Sequence, residues 1–75
     1  FNASTVIEYQ LPTSSSVKLE VYNLRGQKVA TLADETQQAG YRAAIWDASE
    51  VSSGVYFYKL TAGDLADTRR MILLK

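Results

Sequence analysis

Carboxylates come closest, in this sequence, to a spacing with chemical meaning. Asp47 and Glu50 share one segment, and Asp64 and Asp67 share another. Paired carboxylates can cleave a glycosidic bond, one as acid and one as base or nucleophile, but they must flank a cleft. A chain of 75 residues has little room for one. The same spacings suit turns: Asp47 with Glu50 three residues on resembles a capping box, and Asp64 follows Gly63 in a solvated turn. A calcium ion, which takes scattered oxygens, is the ligand either loop would suit. Serines are plentiful (Ser4, Ser14, Ser15, Ser16, Ser49, Ser52, Ser53), but they fall in turn-like segments where Ser bonds nearby backbone. A serine nucleophile needs a base, and the sequence has neither histidine nor cysteine. No catalytic residue, metal ligand or cofactor is assigned.

Aromatic rings offer a second kind of chemistry. Tyr9, Tyr22, Tyr41, Trp46, Tyr56, Phe57 and Tyr58 would form a stacking platform for sugar rings if several shared an exposed face, which would make the chain a carbohydrate-binding module. The competing use is core and cross-strand packing. Tyr56, Tyr58 and Leu60 point to one side of their segment, and Val55, Phe57 and Lys59 to the other, so one aromatic face is core and the other is open.

Charge narrows the partners. The eight basic and eight acidic residues cancel, which argues against nucleic acid and against docking on an anionic membrane. No apolar run approaches the ~20 residues of a membrane helix. The apolar content, 47%, is enough to build a core without a disulfide or zinc. The chain does not begin with Met, and the expectation is a single domain over 1–75 taken from a larger secreted protein.

The dominant period is two. Val17, Leu19 and Val21 alternate with Lys18, Glu20 and Tyr22, which predicts a half-buried strand over roughly 16–23. Thr5–Leu11 is a β-rich run closed by Pro12. Leu24–Gln27 predicts a hairpin loop with Gly26 at positive φ, followed by a return strand over Lys28–Ala33. Asp34–Ala39 reads as polar and irregular, and Tyr41–Trp46 as a further strand. The capping-box segment predicts at most a short helical or 3₁₀ turn, stopped by Gly54. Val55–Thr61 is the strongest strand, and Asp67–Leu74 returns after a turn at Gly63. About seven short strands, with turn signals every ~8–12 residues, describe an all-β antiparallel sandwich. Val17, Leu19, Val21, Trp46, Tyr56, Tyr58, Leu60, Met71 and Leu73 are the expected core, with Gly26, Gly54 and Gly63 in turns.

Several segments together resemble one known family. They are Trp46-Asp47-Ala48-Ser49, Ser53-Gly54-Val55-Tyr56-Phe57-Tyr58-Lys59-Leu60, Ala62-Gly63-Asp64 and Thr68-Arg69-Arg70-Met71-Ile72-Leu73-Leu74-Lys75. With Phe1–Ile7 and Val21–Leu32 they are similar, in order and over essentially the whole chain, to the type IX (Por) secretion C-terminal sorting domain. Ala3 stands where that family commonly has Pro.

The resemblance implies an Ig-like sandwich at the end of a secreted protein, related to the Ig-like domain of flagellar hook-capping proteins. It implies an N-terminal passenger, an outer-membrane type IX translocon, a sortase-like peptidase, and delivery to the cell surface or the extracellular space. The positions expected to meet the translocon are Gly54, Tyr56, Arg69, Arg70, Ile72, Leu74 and Lys75. The alternatives are a carbohydrate-binding module of a secreted glycoside hydrolase and a passive Ig-like spacer or assembly domain.

Overall fold

In the computed structural model of the chain, residues 4–74 are described. They form six strands: β1 (Ser4–Leu11), β2 (Ser15–Asn23), β3 (Lys28–Gln37), β4 (Gly40–Asp47), β5 (Gly54–Ala62) and β6 (Leu65–Leu73). β1 and β4 make a two-stranded sheet, and the other four form a sheet of order β3-β2-β5-β6. All pairings are antiparallel. The architecture is the small β-sandwich expected from the period of two.

Alternation decides which side chains meet. Val17, Leu19 and Val21 are fully buried and lie opposite Ala62, Leu60 and Tyr58 of β5. The small sheet answers with Ile7, Leu11 and Trp46. Trp46 meets Tyr56 edge to face, with ring centroids 5.2 Å apart, in a cluster completed by Val21, Ala48 and Leu73. A second cluster joins Leu11, Val17 and Ala62.

Two local expectations change. Asp34–Ala39 is not irregular as a whole, because β3 continues to Gln37, held by its ladder to Ser15–Leu19. Polar residues suffice there, since the strand lies at the sheet edge and its stability comes from pairing more than from propensity. The 47–51 segment forms a single hydrogen-bonded turn, within the limit expected of at most a short helical or 3₁₀ turn. Asp47 Oδ1 accepts from the Ser49 N–H at 3.1 Å, the bond an N-cap would make, but no helix follows it. Ala48 O accepts from Val51 N–H at 3.2 Å.

Gly54 does not sit in a turn; it opens β5 opposite Leu73 with φ 156°. Gly26 and Gly63 are in turns as expected, at φ 81° and 58°. With Gly63 positive and Asp64 not, the two-residue β5–β6 loop has the sign pattern of a type II′ turn, whose first central position selects Gly.

Tyr58, Leu60 and Met71, expected to be mostly buried, pack against the two clusters but are less completely covered than Val17, Leu19 and Val21. Two strands cannot cover four, so the core-facing side of β5 and β6 is left partly open. Pairing also fails to be uniform at the other edge. β3 carries two bulges, at Leu32 and Val29, which the register to Glu20 and Tyr22 skips. The bulges turn Val29, Ala30 and Leu32 toward the core cluster.

Candidate functional site: the terminal hairpin

β5 and β6 pair without a shift from Gly54↔Leu73 to Ala62↔Leu65. Residues opposite each other share a face, so this register sorts the hairpin. Tyr56, Tyr58 and Leu60 with Met71, Arg69 and Asp67 face the small sheet. Val55, Phe57 and Lys59 with Ile72, Arg70 and Thr68 face away from it.

The seven positions anticipated from sequence therefore separate. Ile72 and Arg70 come together on the outward face beside Val55 and Phe57. Ile72 is 53% exposed and Leu74 64%, while Leu73 between them is fully buried. Arg69 lies on the other face, where its Nε donates to Asp67 Oδ2 at 3.0 Å. That bond and the Asp67 charge raise the Arg69 guanidinium above its ordinary range. Tyr56 is buried, and its hydroxyl donates to Ser52 O at 2.7 Å, tying β5 to the loop before it. Gly54 fixes where β5 begins. Lys75 lies outside the described residues.

Sequence reasoning missed how far the outward face continues. Tyr22 of β2 lies opposite Phe57 and also opposite Lys28 of β3, so a row Arg70, Phe57, Tyr22, Lys28 crosses the sheet. Glu20 is buried in the next row, opposite Lys59, with Lys28 Nζ 3.4 Å from its Oε2. The signal was legible in the alternation of Lys18, Glu20 and Tyr22, but only cross-strand register joins it to Phe57.

Burial alone would raise the Glu20 carboxyl. The influence of the Tyr22 hydroxyl, with the Lys18 and Lys28 charges, outweighs burial and holds it below its ordinary 4.5. Burial, and then the nearby Glu20 carboxylate, push the Tyr22 phenol up. A lowered carboxyl contributes stability that is complete above its unfolded value and is lost as pH falls through the folded one. Glu20→Gln should therefore melt below wild type at pH 7, and the gap should close as pH falls from 4.5 through the lowered folded value. Melting curves across that range check it; a gap that stays constant refutes the assignment.

Other surfaces offer less. Trp46 and Tyr56, two of the aromatics a sugar platform would use, meet edge to face in the core, where they were expected. Tyr41 is 84% exposed, on the outer side of the small sheet opposite Gln10. A cleft of about 300 Å³ opens between β1 and the β5–β6 hairpin, lined by Glu8, Tyr9, Gln10, Tyr58, Leu60, Asp67 and Arg69. Tyr9 there donates its hydroxyl to Gln37 Oε1 at 2.7 Å. Among the described residues no group of three or more acidic, His or Cys side chains could hold a metal.

Residues 2–74 match the family described as "Secretion system C-terminal sorting domain". No curated relative and no solved structure matches the chain.

Proposed function

This chain belongs to the family of secretion system C-terminal sorting domains, and on that footing we propose that residues 1–75 form one folded unit at the end of a larger precursor. Its function is that of a sorting signal for type IX secretion. It engages the type IX machinery and directs an attached passenger across the outer membrane, toward the cell surface or the extracellular space. Domains of this family are in general not catalytic.

Within that machinery, the translocon meets the outward side of the last strand through Arg70 and Ile72, and Leu74 just past its end, with Arg69 at the opposite face of the same strand; Lys75, next in sequence, is the further position expected to take part. Gly54 and Tyr56 act from within, by setting the start and the anchoring of β5, against which β6 is paired. A sortase-like peptidase then removes the domain and leaves the passenger at the cell surface. The observation that carries this reading is the pair of exposed apolar side chains, Ile72 and Leu74, on either side of a fully buried Leu73. Exposed apolar side chains that are grouped, unlike those scattered singly, are candidates for an interaction surface.

The test is a fusion of this chain to the C-terminus of a periplasmic reporter, in a host with a type IX system. Surface-exposed or released reporter is the expected result, and a reporter that stays periplasmic with the domain folded would refute it.

A further inference from the structure

We infer that β6 is a self-complementary edge through which two copies of this chain pair, antiparallel, into one continuous eight-stranded sheet. The two edges of the four-stranded sheet are built differently. β3 is broken by two bulges and exposes Lys28, Asp34 and Glu35, devices that discourage further pairing. β6 has neither bulge nor proline, and its register to β5 is unbroken over its whole length. Its first six residues, 65–70, are exposed on both faces, so no side chain from another element stands over that stretch of edge.

Exposed charge on an edge ordinarily blocks pairing, but the order of charges on β6 does the opposite. A two-fold axis through Thr68 places Thr68 against Thr68 of the second copy, Asp67 against Arg69 twice, and Leu65 against Met71 twice. Asp67, Arg69, Leu65 and Met71 all lie on the core-facing side, so both small sheets stay on one side of the joined sheet. Opposite charges, paired threonines and apolar contacts are the favourable cross-strand combinations, and a closed two-fold uses each twice. The Asp67–Arg69 bond within each chain, at 3.0 Å, already lies on this face and would extend into a group of four charges about the axis. A slip of one residue sets Asp67 against Arg70 but turns the two small sheets to opposite sides. Edge pairing buries less than a standard interface, so the dimer is weak and forms at roughly tens to hundreds of micromolar.

Sedimentation velocity of the whole chain from ~10 µM to ~1 mM in low salt tests the inference. Wild type is expected to move from monomer mass toward dimer mass. Arg69→Asp presents two carboxylates on each copy, and Asp67→Arg two guanidinium groups, so each variant alone should stay monomeric. An equimolar mixture of the two should recover dimer, which also shows that both are folded. Arg70→Asp makes the same charge change on the other face and should dimerise as wild type does. A wild type that stays monomeric at ~1 mM overturns the inference. So does an Arg69→Asp variant that dimerises alone, a mixture that stays monomeric, or an Arg70→Asp variant as monomeric as Arg69→Asp.

Discussion

Trp46→Ala is expected to leave this domain largely unfolded. Truncating a buried Trp costs about 3–5 kcal/mol, the lost transfer free energy plus the cavity left behind. A core of this size, with no disulfide or metal, supplies only ~3–5 kcal/mol in total. The site has little means to collapse. Trp46 is the one large side chain that β4 sends into the cluster of Val21, Ala48, Tyr56 and Leu73, and Val21, Tyr56 and Leu73 are held in place by the four-stranded sheet. Removing it also strips Tyr56 of its edge-to-face partner at 5.2 Å. Tyr41→Ala, on the same strand but facing solvent, should change stability by no more than ~0.5 kcal/mol. Circular dichroism melts of both variants decide the matter. A Trp46→Ala protein that melts within a few degrees of wild type would show that the small sheet is not what closes the core. The contrast also bears on the sugar-binding alternative: loss of a ligand in Trp46→Ala would follow from unfolding, whereas Tyr22→Ala or Phe57→Ala would probe the aromatic surface that faces out.

Strong alternation was legible in the sequence wherever a strand has one buried face. Val17, Leu19 and Val21 announced β2 because apolar and polar side chains alternate there, although Glu20 between them is itself buried. Pairing was legible only where a turn fixes it. Asn23 and Gly26 marked the β2–β3 loop, where Asn23 Oδ1 accepts from the backbone of Arg25 and of Gln27, both at 3.0 Å. What could not be read was anything set by distant register. The polar half of β3 is a strand because β2 pairs with it, and nothing in Asp34-Glu35-Thr36 declares that. Tyr58 and Leu60 are less completely covered than Val17 and Leu19, because the sequence shows a face, not how many strands cover it. The anticipated site divided for the same reason. Arg69 and Arg70 are adjacent in sequence yet point to opposite sides of the sheet, and Tyr56 is hidden behind the surface it helps to hold.

In the reporter fusion, Leu74→Ser and Ile72→Ser are expected to reduce export sharply while the domain stays folded. Each removes an exposed apolar side chain, so the cost in folding should lie within ~0.5 kcal/mol. At a docked surface the same side chain is worth ~1.5–3 kcal/mol of burial, or about tenfold or more in affinity. Lys75→Ala belongs to the same group, as a change of charge next to Leu74 in sequence. Leu73→Ala is the opposite control. It cuts a fully buried side chain from the cluster around Trp46, costs about 2–5 kcal/mol, and should lose export because the sandwich unfolds. Deleting residues 71–75 cannot separate the two causes, since it takes away part of β6 and of the core together. The discriminating measurement is export plotted against melting temperature for all four variants. Ile72, Leu74 and Lys75 changes should fall off the line, poor in export at a melting temperature near the parent's. If they export normally while Leu73→Ala does not, the machinery reads the folded sandwich as a whole, and the end of β6 is no signal of its own. The two outcomes differ in mechanism: a docked strand end is recognised through the side chains it exposes, whereas a fold is recognised through every contact that keeps Leu73 buried.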